Sequence, residues 1–255
     1  MDDLVRALVS YEKFGFAVVP KFFKDDEVLQ MLDEFELFKK KDAPHLRGRE
    51  INYVDPEKTI INSVHNLAYR KDGFFHRLLH SPRMAELSSV FLKEKAKPRG
   101  MEMFAKPAGK GLASPIHQDN YYWCLQPCAA HTALTLWCAL DHVDESNGGV
   151  SYLSGTHLIG ILDHVDSNAP GSSQTLADRS LLDKYQHVTP KLEPGDILVH
   201  DAMTVHWSTA NTSGNSRRGM TMQFQKDSAK LDPVMLKHYE SRLAAQLESR
   251  AKAQK

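Results

Sequence analysis

Two hydrophobic periods divide the chain. Before about Arg99, apolar residues recur at helical spacing, and beyond it they fall into short runs of strand character. Residues 2–10 read as a short helix. The run FGFAVVPKFF, Phe14 to Phe23, is β-branched and aromatic and predicts a strand. Val28, Met31, Leu32, Phe35 and Phe38 then recur on one helical face, with Asp25 placed to cap that helix and Lys39 to Lys41 suited to its last turn. Residues 41–62 read as loop, and another helix is predicted from Pro82 to about Lys95.

From Arg99 to about Gln225 the pattern predicts strands at RGMEMFAK, HTALTLWCAL, GVSYL, DILVH and GMTMQF. Turn signals separate them at Pro107-Ala108-Gly109, Asn147-Gly148-Gly149 and Pro194-Gly195-Asp196. Asn147-Gly148-Gly149 reads as a hairpin turn with no chemistry of its own. Residues 161–185 form a long polar insertion holding Pro170-Gly171-Ser172-Ser173, of the kind that often covers a site. Asp232-Pro233 opens a final helix whose basic end, SRAKAQK, reads as a solvated face. No internal repeat is evident. This order predicts a single domain over residues 1–255, mainly β, with helices packed outside a sandwich or barrel.

Composition narrows the classes. Lys plus Arg and Asp plus Glu number 32 each, so the net charge is zero. That balance gives no global attraction to nucleic acid or an anionic membrane, and neither partner is expected. Cys124, Cys128 and Cys138 are odd in number and contain no CxxC pair, which predicts free thiols rather than a disulfide framework or structural zinc. The start, MDDLVRALVS, is acidic and lacks the apolar stretch of a secretory signal. No apolar run approaches the roughly 20 residues that span a bilayer. A cytoplasmic protein acting on a small molecule is the expectation, with oligomeric state left open.

The chemistry concentrates in SPIHQDNYYW, Ser114 to Trp123. His117 and Asp119 are two apart, and on a strand side chains at i and i+2 share a face. Two histidines and one carboxylate that leave coordination positions open form the facial triad of non-haem iron(II) oxygenases. The segment Glu193 to Phe224 supplies the third histidine. His206 lies 87 residues after Asp119, and Arg217 lies 11 residues after His206. A guanidinium suits a dicarboxylate tail because its planar fork donates two charge-assisted hydrogen bonds. His200 competes with His206, and sits farther from the arginine. Arg218 competes with Arg217, and neighbours on a strand face opposite ways.

HQD at 117–119, NGGVSYLSGTH at 147–157, PGD at 194–196, and His206 followed by Arg217 resemble the phytanoyl-CoA dioxygenase family, over roughly residues 14–225. The resemblance implies a double-stranded β-helix (jelly-roll, cupin-like) with flanking helices, using iron(II), 2-oxoglutarate and dioxygen. It makes His117, Asp119 and His206 the iron ligands, gives the 2-oxoglutarate tail to Arg217 and Ser208, and lines the cofactor pocket with Trp137. Trp137 also reads as plain core.

For the substrate, Lys106 and Lys110 flank the Pro-Gly turn before the metal strand, and Asn120 and Tyr122 follow it. Lysines and an amide suit a small anion, although both lysines also read as solvated turn residues. HQDNYYW with its upstream lysines is similar to the family's phosphonate-hydroxylating branch, which acts on 2-aminoethylphosphonate at the carbon next to phosphorus. Hydroxylation of an acyl-CoA or another small metabolite is the alternative, and a non-catalytic cupin-like binding module is a third reading. The intact His117, Asp119, His206 and Arg217 set argues against the last.

Overall fold

A computed structural model describes residues 3–167, 169 and 172–253. Pro170 and Gly171 of the polar insertion and the last two residues of the basic tail lie outside the described residues.

Two antiparallel sheets carry the fold. The larger has seven strands in the order Phe16–Val19, Ile197–Asp201, Ala133–Ala139, Arg217–Lys226, Ala96–Lys106, Ile61–Val64 and Ile51–Tyr53. The smaller has four, His187–Val188, Val150–Leu153, His206–Ser208 and Ser114–His117. Facing each other, the two make the jelly roll.

Alternation decides which side chains see which layer. On Ala133–Ala139, Leu134, Leu136 and Cys138 face outward, where they join Met101, Met103, Met220, Met222 and Phe224 in the main core. The helices Asp25–Lys41 and Pro82–Leu92 seal that face with Val28, Met31, Phe35, Phe38, Met84, Leu87 and Phe91. The opposite parity, Thr135 and Trp137 beside Thr221, Gln223, Glu102, Phe104 and Lys106, turns into the space between the sheets. Those polar inward residues keep a cavity open beside the smaller inner cluster of Phe16, Trp137, Ala139, Val150, Tyr152 and Leu198.

Several boundaries differ from the sequence reading. The first helix runs Asp3–Phe14 and buries Tyr11, and the strand after it shortens to Phe16–Val19. Lys24, not Asp25, takes the N-cap position, and the Glu27 carboxylate accepts the Lys24 N–H at 2.9 Å. Residues 41–62, expected as loop, hold two short 3-10 turns and the strand Ile51–Tyr53, and Ile61–Val64 begins within them. Ile51 registers with Val64 and Ser63 with Phe104, so these strands extend the large sheet at its edge.

The polar insertion is paired rather than loose: His164–Asp166 and Gln174–Leu176 form a two-stranded ribbon. The final helix, Pro233–Ala253, is not a free solvated element. Arg242 donates to the Tyr121 hydroxyl at 3.2 Å and to the His164 carbonyl at 2.5 Å, and Gln246 donates to the carbonyls of Ser167 and Ser173. Helix and ribbon together roof the cavity. The three cysteines are free thiols, with Cys124 and Cys138 buried. Among the described residues no helix is long and apolar enough to cross a membrane.

Candidate active site

His117 ends its strand and His206 begins the neighbouring one, and the two are register partners with ring centroids 4.2 Å apart. Each imidazole is fixed in the same way. Nδ1 lies 2.7 Å from the Pro115 carbonyl in His117 and 2.9 Å from the Thr204 carbonyl in His206. A carbonyl only accepts, so each Nδ1 carries the proton and each Nε2 keeps its lone pair for the cavity.

The strand pairing ends at His117, but Gln118 stays extended, so His117 and Asp119 keep the same-face relation that their i+2 spacing predicts. Asp119 then opens the short helix Asp119–Trp123. The buried Gln118 side chain is anchored by donating to the carbonyls of Gly160 and Met203. The carboxylate converges on the histidines: Asp119 Oδ1 is 3.5 Å from His117 Nε2 and 3.7 Å from His206 Nε2. One ligand atom from each of the three residues lies within 4.8 Å of the others, a spacing that can hold a metal ion.

His200 occupies a different position. Its Nε2 is 3.3 Å from Asp119 Oδ2 and its Nδ1 is 2.9 Å from the Tyr152 hydroxyl. Thr135 Oγ1 donates to the same Asp119 Oδ2 at 2.8 Å. One carboxylate oxygen is thus occupied from behind and the other faces the two histidines. Burial raises the Asp119 pKa, but His206, His117 and His200 outweigh it and hold the carboxyl well below the usual range. Burial and the adjacent His117 keep His206 neutral, its pKa well below the ordinary histidine value.

The cavity's other end is cationic. Arg217 and Lys106 are cross-strand partners, both turned inward and only 1% and 2% exposed. Arg218 faces out and grips Asp141 through Nε at 2.8 Å and Nη2 at 2.6 Å. Arg217 Nη2 donates to the Gly148 carbonyl, its Nε has no partner among the described residues, and its guanidinium lies 5.2 Å from the Trp137 ring. Lys106 Nζ donates to Ser208 Oγ at 2.7 Å and to the Thr209 carbonyl. Neither cation meets a carboxylate within ion-pair distance among the described residues. Burial lowers the Arg217 pKa to about 9, and burial with Arg217 alongside lowers Lys106 to about 6. Buried charge without a counter-ion is unfavourable, so this end is built to receive an anion.

Two glycines make that end possible. Gly148 sits at φ +84, and a Cβ there would lie 2.7 Å from the Thr209 carbonyl and 3.0 Å from Lys106 Cδ. The Asn147-Gly148-Gly149 turn therefore contributes chemistry after all: its carbonyl orients Arg217 and its bare Cα admits Lys106. A Cβ on Gly219 would lie 1.8 Å from Trp137 Cζ2, so glycine is what lets the indole lie flat against the strand.

One cavity of about 710 Å³ joins the two ends. Trp137, Ser208 and Tyr122 line it, and the Tyr122 hydroxyl bonds to Ser172 and the Gln174 carbonyl in the ribbon above. The residues expected to bind an anionic substrate are not brought together. Lys110 is exposed in its turn and does not line the cavity. Asn120 is buried, and its amide is used by the Leu125 backbone and Cys128. Lys106 sits with Arg217 and Ser208. Sequence reasoning missed Asn52, Ser63 and His65 on the edge strands, Glu102 on RGMEMFAK, and Tyr239 and Leu243 on the final helix. The alternation of RGMEMFAK places Glu102 with Lys106; nothing in the sequence signals the others.

Comparison with known proteins agrees with this geometry. The family model for phytanoyl-CoA dioxygenase (PhyH) matches residues 11–219. Phytanoyl-CoA dioxygenase domain-containing protein 1 of Mus musculus is 26% identical over 208 residues, covering 80% of this chain and 69% of the relative. The solved structure of AviO1 from Streptomyces viridochromogenes Tue57 superposes with a TM-score of 0.73 at 21% identity, over 91% of this chain and 99% of that one. EctD from S. alaskensis, solved with 2-oxoglutarate and 5-hydroxyectoine, gives a TM-score of 0.72 at 20% identity, over 91% and 79%. At these identities the structures speak for the fold.

Proposed function

The chain belongs to the phytanoyl-CoA dioxygenase family of iron- and 2-oxoglutarate-dependent oxygenases, and we propose that it hydroxylates a small soluble molecule in the cavity between its two sheets. In this reading His117, Asp119 and His206 hold iron(II). Arg217, Lys106 and Ser208 hold the distal carboxylate of 2-oxoglutarate, and Trp137 forms the wall beside it. The observation that carries the proposal is the pairing, in one cavity, of a two-imidazole, one-carboxylate cluster with two buried cations that lack a counter-ion.

The donor set fits a divalent iron by its chemistry: two neutral imidazoles, one carboxylate oxygen, and open positions on the cavity side. Bound iron supplies dioxygen activation coupled to decarboxylation of 2-oxoglutarate. The chain's residues do the rest. The carbonyls of Pro115 and Thr204 keep both Nε2 atoms unprotonated. Thr135 and His200 occupy Asp119 Oδ2, so the carboxylate presents Oδ1 alone. Arg217 fixes the far end of the cosubstrate and with it the placing of its 2-oxo acid group. The ribbon and final helix cover one side of the cavity.

The phosphonate reading loses the residues on which it rested. Lys106 serves the cosubstrate, Lys110 is outside the cavity, and Asn120 holds backbone. The substrate is instead read from the remaining lining.

The test is anaerobic addition of iron(II) and 2-oxoglutarate, followed by the visible charge-transfer band of their complex, with succinate release as the aerobic counterpart. Wild type should show both. His206→Ala should lose both. His200→Ala should keep the band while iron binding weakens about 10–100-fold, as for residues that orient a metal ligand. A band that survives His206→Ala and vanishes in His200→Ala would assign the wrong histidine.

A further inference from the structure

One stretch of cavity wall is used by neither the metal cluster nor the cation end. Glu102 turns inward on Ala96–Lys106, two residues before Phe104 and four before Lys106. His65 follows the edge strand Ile61–Val64 and meets Glu102 Oε1 through Nδ1 at 2.6 Å. The other ring nitrogen of His65 is 3.1 Å from Asn52 Nδ2, which also donates to Ser63 Oγ at 3.1 Å. Burial favours neutral His65, but the Glu102 charge and hydrogen bond outweigh it and raise the pKa. The carboxylate is thus fixed from one side by a chain of contacts that only the added edge strands provide.

Its other oxygen is left over. Glu102 Oε2 has no hydrogen-bond partner among the described residues. Thr221, the register partner of Glu102, is 5% exposed, and its hydroxyl is buried without a partner. Gln223, one inward position further along, makes no side-chain hydrogen bond among the described residues, and it too lines the cavity. A buried polar atom left unpaired costs about 1–3 kcal/mol. Of the three groups only the Thr221 hydroxyl is buried, while Glu102 Oε2 and the Gln223 amide are half-buried and open to the cavity; together they leave one wall with polar atoms free to meet an occupant.

The sign of that occupant follows from the charges. Glu102 faces a cavity that already holds Asp119 and would hold the 2-oxoglutarate dianion. The buried cations, Lys106 and Arg217, are at the cosubstrate end, and Arg49 lies exposed at the rim. A phosphonate or a CoA phosphate beside Glu102 would meet like charge. A neutral hydroxyl could donate to Oε2 but gains no Coulombic attraction to the carboxylate beyond that hydrogen bond. An ammonium gains a charge-assisted hydrogen bond there, and the Phe104 ring on the same strand face offers a cation–π surface.

Resting on the oxygenase reading above, we infer that Glu102, oriented by His65, is the substrate-recognition residue and that the substrate is a small molecule presenting an amine. Thr221 and Gln223 serve its neighbouring polar atoms. His65 is a positioning residue, acting through Glu102.

The experiment measures binding to the zinc(II)- and 2-oxoglutarate-loaded enzyme, which cannot turn over. The probes are n-butylamine, benzylamine and cyclohexylamine, each set against its N-acetyl derivative and against butylphosphonate, with binding followed by ligand-observed NMR. Wild type should prefer each amine over its acetylated and phosphonate counterparts by tenfold or more. Glu102→Gln keeps the shape and removes the charge, and should abolish that preference. His65→Ala should reduce it without removing it. In all variants 2-oxoglutarate affinity should be unchanged. Equal binding of amine and amide, stronger binding of the phosphonate, no binding of any amine, or a preference that survives Glu102→Gln would each overturn the assignment. Failure of wild type to bind 2-oxoglutarate at all would strike the oxygenase reading instead.

Discussion

Lys106→Met separates two roles for one residue. The sequence places Lys106 beside the substrate, and the structure places it beside Arg217 and Ser208. Truncating one partner of a buried charge pair costs roughly 2–5 kcal/mol. Lys106 in the free enzyme has its pKa lowered to about 6 by burial and by Arg217. At pH 7 its protonation therefore takes back about 1.4 kcal/mol. The loss expected at pH 7 is about 0.6–3.6 kcal/mol, a rise in 2-oxoglutarate Kd of roughly threefold to several hundredfold. The sign of the pH effect is fixed. Below about 6 the lysine is already charged and the full difference between wild type and Lys106→Met appears. As pH rises past that value, binding must recruit a proton, so wild-type affinity falls toward that of the variant. Anaerobic titration of 2-oxoglutarate into the iron(II) enzyme, repeated from pH 5.5 to 9, reads both quantities. An unchanged Kd at every pH, with the effect appearing only in the KM of a substrate, would refute the cosubstrate role and restore the sequence reading.

Arg217→Ala should weaken 2-oxoglutarate by tens-fold or more with iron binding little changed, whereas Arg218→Ala should leave that affinity alone because its guanidinium is held outside by Asp141; equilibrium titration distinguishes them, and the opposite pattern would reverse the strand's facing. Gly219→Ala should drive the Trp137 ring off the strand and cost about 1–3 kcal/mol by overpacking, seen as a lower unfolding midpoint together with weaker 2-oxoglutarate binding. An unaltered midpoint would show that the indole has room to move.

What the sequence showed and what it hid follow from contact range. His117 and Asp119 are legible because two ligands lie within three residues of each other, and His206 because a fixed order of turn, strand and arginine surrounds it. The i+2 rule holds there because Gln118 stays extended, although the chain turns helical from Asp119 on. Parity predicts that Arg217 and Arg218 face opposite ways, and they do, Arg217 into the cavity and Arg218 out to Asp141, since that inference needs only the strand itself. Parity also puts Lys106 and Glu102 on one face, but says nothing of which strand lies alongside. That pairing, Arg217 with Lys106 and Thr221 with Glu102, is set by contacts more than 100 residues apart in the chain. The edge strands Ile51–Tyr53 and Ile61–Val64 escaped for a different reason: at three and four residues, amid Asn, Asp, Pro and Lys, they are too short to show a period.

The charged residues of the cavity wall are those whose burial works against folding. Arg217, Lys106 and the Glu102–His65 pair all place charge inside the molecule, where apolar side chains of similar size would be tolerated at least as well. Arg217, Lys106 and Glu102 sit on the inward parity of two strands whose outward residues include Met101, Met103, Met220 and Met222 of the main core. The same pair of strands therefore carries stability on one face and charge on the other. Helices pack on the first face and hold the backbone rigid enough for the second to keep Arg217 and Lys106 in place without a carboxylate partner among the described residues. Ligand binding then supplies the missing partners: a dicarboxylate for Arg217 and Lys106, and an amine for Glu102. By this argument 2-oxoglutarate should stabilise the fold more than iron(II) does alone, because it neutralises the two most deeply buried cations.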